Sequence, residues 1–173
     1  MMEIKYINTE NDFACMYIYI VKNSKAFKII MNLLFFIAIV MFSMDYFSRT
    51  LNTFNVKNLL FLVLFISISI LEVSVIKYLL LFLLKRFYLK RLRESSKNEF
   101  NVETTLTLTE TEIIKQNIYS NIKMKFILIK RIIVDKKYLF ILTGSMEGFV
   151  IPLSIFKNNE EKNTFLYYLN KRE

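Results

Sequence analysis

Two long apolar runs between Phe27 and Leu84 constrain this chain more than any other feature of its sequence. The first extends from Ile29 to Phe47 and is long enough, as a helix, to cross a bilayer core of about 30 Å. The second extends from Leu59 to Leu84 and carries Glu72 and Lys77. Its strongly apolar residues, at about −0.3 to −0.6 kcal/mol each, outweigh a glutamate that costs about 2.5 to 3.5 kcal/mol. Both runs are therefore predicted to insert into a membrane.

The two predicted spans are joined by residues 45–58, a connection short enough to make them antiparallel neighbours. A soluble protein with two buried core helices is disfavoured, because too little other sequence remains to cover both helices on every side. We therefore predict a two-helix transmembrane hairpin. The first span begins too far from Met1 for a cleaved signal peptide, and no small-residue cleavage site follows it, so we expect it to be retained.

The basic residues are distributed unevenly around the two spans. Four lysines precede the first span, only Arg49 and Lys57 lie in the connection, and a basic cluster follows the second span: Lys85, Arg86, Lys90, Arg91, Arg93 and Lys97. An excess of Lys and Arg marks cytoplasmic flanks, which predicts a multi-pass protein of the cell membrane with both termini in the cytoplasm. This distribution accounts for the net charge of +9 without nucleic acid, which we do not expect as a partner.

The second helix is expected to continue beyond the membrane, because no Gly, Pro or turn cluster interrupts it before residues 95 and 96. Basic side chains then recur at helical spacing on one side of it. Together with two lysines near the inner boundary they form the predicted contacts with anionic headgroups of the inner leaflet: Lys77, Lys85, Arg86, Lys90, Arg93 and Lys97. Lys77 is expected to extend its amine from the span to the headgroups.

The composition excludes most catalytic chemistry. Cys15 is the only cysteine, and the chain has no histidine and two glycines, Gly144 and Gly148. Zinc sites of the Cys/His type, nucleophiles paired with histidine and glycine-rich phosphate loops are therefore ruled out. Carboxylate catalysis remains open, although no pair of acids stands out. We expect neither an enzyme nor a bound cofactor or metal.

The N-terminal residues predict a strand followed by a helix. Residues 2–8 alternate between apolar and polar side chains, which is typical of a strand. Thr9 and Asp12 are spaced as in a capping box, so a helix is expected from about Glu10. One face of this helix carries Phe13, Met16, Tyr17 and Ile20. That face could lie on the bilayer surface or pack on the C-terminal domain.

From Phe100 the apolar pattern alternates with a period of two, which predicts antiparallel strands joined by short turns. Pro152 is expected to end the last strand, and Asn158 and Asn159 to begin a helix near residues 159–171. We predict a membrane α+β protein: the hairpin, plus a cytoplasmic half-barrel of five to seven strands of the pleckstrin-homology kind, closed by this helix. The strand at 3–7 should join that sheet, because a lone strand leaves its backbone groups without partners. The expected domains are 1–26, 27–98 and 99–173.

The second half of the chain resembles the C-terminal domain of YcxB-like bacterial membrane proteins. In that family an aromatic residue begins an Ile-Lys-Ile-like strand, a Tyr-rich strand follows a charged turn, and an Ile-Pro-x-x-x-Phe segment precedes the last helix. The corresponding positions here are Phe126, Ile129 to Ile132, Tyr138 to Leu142, and Ile151 to Phe156. The opening segment from Ile4 to Phe13 also resembles the family's strand followed by a Thr/Ser-x-x-Asp start, so the resemblance covers nearly the whole chain. These motifs are structural, so the resemblance implies a fold and assigns no catalytic residue.

Glu72 is an ionisable residue inside a span, where such groups often serve as relays, ligands or partners of another charge. A structural role within the hairpin or a homo-oligomer, and a role in holding an ion or a captured partner, both remain open. Counted from the span midpoints, Asn32 lies within about 3 Å of the depth of Glu72. We predict an intramembrane polar contact between Asn32 and Glu72.

Three classes of function fit these features. The favoured one is a non-enzymatic binding or scaffold module at the inner leaflet, with anionic lipid headgroups, another protein or a second copy of the chain as its partner. The second is a self-protection (immunity) or accessory protein against a membrane-active peptide, suggested by the small size. The third is a component of a transporter or membrane enzyme that uses Glu72.

Overall fold

A computed structural model describes residues 2–50, 56–95, 100–144 and 147–170 of the chain. These residues form, in chain order, β1 (Met2–Ile7), α1 (Glu10–Asn23), α2 (Lys25–Thr50), α3 (Val56–Ser95), β2 (Glu103–Leu108), β3 (Glu112–Gln116), β4 (Asn121–Lys125), β5 (Arg131–Val134), β6 (Tyr138–Leu142), β7 (Gly148–Pro152) and α4 (Asn159–Asn170). Short 3₁₀ helices follow β4 at Phe126–Leu128 and β7 at Leu153–Ile155. The protein is α+β.

The described strands form two antiparallel sheets. The first has the order β1-β2-β3-β4, and the second has the order β5-β6-β7. The N-terminal strand joins the first sheet as predicted, with Ile4 opposite Leu106 in the β1–β2 ladder. The helix expected near residues 159–171 is also confirmed as α4, and the Asn158 side chain accepts a hydrogen bond from the Glu161 N–H at 2.8 Å.

A single apolar core lies between the two sheets and α4. Alternate residues of β1, β2, β6 and β7 point into it, which is what a period of two in the sequence requires. Phe165 of α4 is fully buried in this core, and its ring lies 5.4 Å from that of Phe156. The other buried members are Ile4, Tyr6, Leu106, Leu108, Ile113, Met124, Phe126, Leu139, Ile141, Phe149, Ile151 and Leu169.

The opposite face of the second sheet is covered by α1. Met16 of α1 packs in a second cluster with Phe140, Leu142 and Val150. Both faces of β6 are therefore buried, which explains why its sequence is an unbroken apolar run rather than an alternating one. Of the two expectations for the apolar face of α1, packing on the C-terminal domain is the one observed.

Helices α2 and α3 extend into the predicted connection, because α2 ends at Thr50 and α3 begins at Val56. In the described part of the chain, one helix is long and apolar enough to cross a membrane: Ile66–Glu94, whose most apolar stretch is almost entirely exposed. The pair of α1 and Lys25–Met41, bent by 58°, would supply a second if it formed one span. Within the predicted first span, the side chains at 42 and 45–47 lie outside the described residues.

The chain divides into two compact units. The two-sheet unit comprises Met1–Ile20 and Phe87–Glu173, and the helical unit comprises Val21–Arg86. The N-terminal strand and most of α1 thus fold with the C-terminal residues, although they are separated from them in the sequence. The end of α3 also belongs to the two-sheet unit.

Replacing Phe165 by alanine is expected to destabilise the two-sheet unit by about 3 to 5 kcal/mol, because the change leaves a cavity at a fully buried position. Tyr167→Ala is the matched control, since Tyr167 lies on the same helix with its side chain mostly exposed. Thermal unfolding of the full-length protein in detergent measures both. Equal losses for the two variants would contradict the described core.

Candidate membrane-contact site

The last turns of α3 are held against α1 by two side-chain contacts. The rings of Tyr17 and Tyr88 stack with their centroids 4.2 Å apart and their planes 4° from parallel. Near the end of α3, the Arg93 Nε donates to the Glu10 Oε2 at 2.7 Å. The Arg93 side chain is 66% exposed and that of Glu10 is 29% exposed, so solvent weakens this ion pair.

The six residues predicted to contact lipid headgroups are placed as follows. Lys77 and Lys85 are half-buried, while Arg86, Lys90 and Arg93 are exposed on α3; Lys97 lies outside the described residues. Because α3 is helical throughout, Arg86, Lys90 and Arg93 share one side of it. Arg93 is engaged by Glu10, whereas Arg86 and Lys90 have no ion-pair partner among the described residues. Of the six predicted residues, Arg86 and Lys90 are therefore the exposed, unpaired cations on the described part of α3.

The predicted contact between Asn32 and Glu72 stays a prediction. Both side chains are exposed, and the part of the chain that the structure describes offers neither of them a hydrogen-bond partner.

Two serines of the second predicted span are satisfied within their own helix. Ser67 and Ser74 donate to carbonyl oxygens one turn earlier in α3.

Asp12 connects the start of α1 to β6. Its Oδ2 accepts hydrogen bonds from the Thr9 N–H (2.7 Å) and the Thr9 hydroxyl (2.9 Å), which confirms the predicted helix start. Its Oδ1 accepts from the Tyr138 hydroxyl at 2.7 Å. Burial raises the pKa of Tyr138, and the hydrogen bond to Asp12 raises it further, so the phenol remains a neutral donor. Both carboxylate oxygens are thus committed to structural hydrogen bonds.

An open cleft of 610 Å³ adjoins this hydrogen-bonded pair. It is lined by Asp12, Tyr138, Lys136, Lys137 and the segment Pro152, Leu153 and Ser154. The two lysines make its rim basic, but the carboxylate of Asp12 lies in the same cleft. Among the described residues no group of three or more His, Cys, Asp or Glu could hold a metal ion. The cleft therefore presents charges of both signs.

Two polar atoms in β1 and just after it are buried without a hydrogen-bond partner among the described residues: the Tyr6 hydroxyl and the Asn8 Oδ1. Burial raises the pKa of Tyr6. The Asn8 amide nitrogen does have a partner, because it donates to the Val150 carbonyl oxygen at 2.9 Å and so links the two sheets.

The sequence did not indicate the contacts of Tyr88, Arg93 and Tyr138 with α1. Tyr17 was assigned to the apolar face of α1, but nothing in the pattern identified Tyr88 as its neighbour. The available signal was the position of Glu10 in the first turn of α1, where the helix N-terminus favours a carboxylate. That position indicates a stabilised acid, but only the fold shows that Arg93 is its partner.

The family model described as YcxB-like protein matches residues 108–169. The match runs from the last residue of β2 through most of α4, and it confirms the predicted resemblance for this part of the chain. Comparison with curated proteins and with solved structures finds no significant match.

Replacing Tyr138 and Tyr6 by phenylalanine removes the same hydroxyl from two different environments. Tyr138→Phe is expected to destabilise the protein by about 1 kcal/mol, because it leaves a carboxylate oxygen without its donor. Tyr6→Phe is expected to leave stability unchanged or to raise it by up to about 1 kcal/mol, because it removes a buried unpaired hydroxyl. Chemical or thermal unfolding in detergent compares the two. A loss for Tyr6→Phe as large as that for Tyr138→Phe would contradict these assignments.

Proposed function

We propose that this chain is a non-enzymatic binding module anchored in the cell membrane, with its two-sheet unit at the cytoplasmic face and its partner an anionic lipid surface. The observation that carries the proposal is the continuity of α3, in which an apolar window is followed in one unbroken helix by exposed, unpaired basic residues.

The pairing of β1 with β2 supports a two-span hairpin. Residues 8–102 leave the first sheet after β1 and return to it at β2, where the Asn101 N–H donates to the Asn8 carbonyl oxygen at 2.9 Å. A segment that starts and ends at one place crosses a membrane an even number of times. Because α3 is long and apolar enough to supply one crossing, we assign the other crossing to α2.

The charge distribution supports the orientation of the hairpin. The termini and the end of α3 carry most of the basic residues near the spans, whereas Arg49 and Lys57 are the two near the connection. By the positive-inside tendency, both termini and the two-sheet unit then lie in the cytoplasm.

Arg86 and Lys90 are the proposed contacts with anionic headgroups. Both side chains are exposed, and neither forms an ion pair with a described residue. A basic residue beside an anionic leaflet contributes about 1 kcal/mol to its attraction. Two such residues one turn apart form a modest, salt-sensitive lipid site.

The two-sheet unit is proposed to be a half-barrel of the pleckstrin-homology kind. The order β1-β2-β3-β4 in one sheet and β5-β6-β7 in the other, followed by a closing helix, supports this assignment. The helical segment, by which we mean residues 8–102 with α1, α2 and α3, is then an insertion between the first two strands. Such a scaffold presents loops and edges for binding. Both carboxylate oxygens of Asp12 accept hydrogen bonds that hold this scaffold together, so we assign Asp12 a structural role.

Glu72 favours a second candidate function. Its carboxyl group is exposed on a helix that is long and apolar enough to span a membrane, which is an unfavourable position unless a polar group from another molecule meets it. A captured membrane-active peptide, as in an immunity protein, or a transporter partner would supply that group. Peptide sensitivity or transport that is unchanged by Glu72→Gln would remove this candidate.

Neutralising Arg86 and Lys90 together (R86Q/K90Q) is expected to weaken the association of anionic lipid with the full-length protein by about fivefold per residue. The measurement is the motionally restricted fraction of spin-labelled phosphatidylglycerol and phosphatidylcholine around the reconstituted protein. The preference for phosphatidylglycerol should also fall at high salt, where exposed charges are screened.

The matched control for this experiment is K136Q/K137Q, which removes the same charge from an exposed turn of the two-sheet unit. It should leave the lipid preference as in the unmodified protein. No preference for phosphatidylglycerol in the unmodified protein, or equal losses in the two double variants, would overturn the proposed function.

A further inference from the structure

The 3₁₀ turn between β4 and β5 presents two large apolar side chains to the outside. Ile127 is 88% exposed, the largest value among the large hydrophobic residues that the structure describes, and Leu128 beside it is 55% exposed. Neither contributes to the core of the two-sheet unit. Their exposure therefore requires an explanation outside the folding of this unit.

This turn is fixed at both ends rather than loosely attached. Phe126 is buried in the core, and its N–H donates to the Thr111 carbonyl oxygen at 3.3 Å. The Ile129 N–H closes the turn on the Phe126 carbonyl oxygen at 2.9 Å, and the Lys130 N–H donates to the Leu142 carbonyl oxygen at 2.8 Å. Ile127 and Leu128 are thus held outward by the backbone, without an ordering cost when they are buried.

Exposed cations flank the apolar pair on both sides. Lys123 and Lys125 precede it on β4, and Lys130 and Arg131 follow it. None of the four forms an ion pair with the residues that the structure describes, including Glu112, which lies opposite Lys125 in the β3–β4 ladder. An apolar tip between unpaired cations is complementary to an anionic bilayer surface. The cations match the phosphates of the headgroups, and the apolar tip matches the hydrocarbon beneath them.

A cleft of 420 Å³ opens beside the turn. Lys130 and Arg131 line it together with Ile132 and Leu169, so it combines two cations with an apolar wall. A phospholipid headgroup at this position would meet both kinds of surface. Strand addition to the outer edge of β4 is less suitable, because lysines on an edge strand disfavour pairing with another chain.

We propose that the wedge formed by Ile127 and Leu128 inserts into the headgroup region of an anionic bilayer while Lys130 and Arg131 bind lipid phosphates. This surface gives the two-sheet unit a membrane contact that does not involve α3. It rests on the proposed function only in requiring that the two-sheet unit lies beside a membrane.

The test places an environment-sensitive NBD fluorophore on Ile127→Cys in the full-length protein carrying Cys15→Ser. The protein is reconstituted in vesicles of phosphatidylcholine with or without phosphatidylglycerol. We expect a blue-shifted emission and several-fold stronger quenching by brominated acyl chains when phosphatidylglycerol is present. Val134→Cys, an exposed apolar position on β5, is the control and should show neither change.

A second pair of variants tests the cations. K130Q/R131Q in the Ile127→Cys protein should abolish most of the blue shift, whereas K136Q/K137Q should preserve it. Far-ultraviolet circular dichroism shows that each variant is folded, and Leu128→Cys provides a second probe position if Ile127→Cys disturbs the turn.

Three results would overturn the proposal. The first is an emission at Ile127 and Leu128 equal to that at Val134 in both kinds of vesicle. The second is an equal blue shift in detergent without lipid, which would indicate contact with a protein or a second copy of the chain. The third is a shift that K136Q/K137Q removes as fully as K130Q/R131Q. Lipid selectivity at Arg86 and Lys90 is measured separately, so failure of the wedge and failure of the proposed function are distinguishable.

Discussion

The pairing of β1 with β2 is the constraint on which the rest of this structure depends. These strands lie on either side of the whole helical segment in sequence, yet they form one ladder from Met2–Leu108 to Ile7–Glu103. Just after β1, the buried Asn8 accepts from the Asn101 N–H and donates to β7 through its side chain. Asn101 has φ of 61°, a left-handed conformation that asparagine tolerates better than most residues. The chain therefore leaves and re-enters the sheet at one point.

Helix α1, which follows β1 directly, packs on the second sheet of the same unit. Its N-terminus is joined to β6 through Asp12 and Tyr138, and Met16 lies in the cluster on the second sheet. Tyr17 then stacks on Tyr88, so the end of α3 is held within the same unit. Lys90 on α3 and the proposed wedge of Ile127 and Leu128 are consequently carried on packed elements of this unit.

Local signals in the sequence predicted most of the two-sheet unit. Alternation gave the strands, the spacing of Thr9 and Asp12 gave the start of α1, and Asn158 gave the start of α4. The packing partner of α1 was left open, because an amphipathic face indicates that a partner exists but not which one. The pairs Tyr17–Tyr88 and Asp12–Tyr138 join residues far apart in sequence, and periodicity carries no information about them. The exposure of Ile127 was not predictable, because the apolar run from Phe126 to Ile129 carries no signal that separates its buried residues from its exposed ones.

In the proposed topology, the segment between β1 and β2 crosses the membrane an even number of times and has both of its ends on the cytoplasmic side. Single cysteines in a Cys15→Ser background test it most directly, with a membrane-impermeant maleimide applied to intact and permeabilised cells. The account predicts that Thr53→Cys is labelled in intact cells, whereas Asn11→Cys and Lys157→Cys are labelled only after permeabilisation. Labelling of either Asn11→Cys or Lys157→Cys alone in intact cells would place β1 and β2 on opposite sides of the membrane and contradict the account.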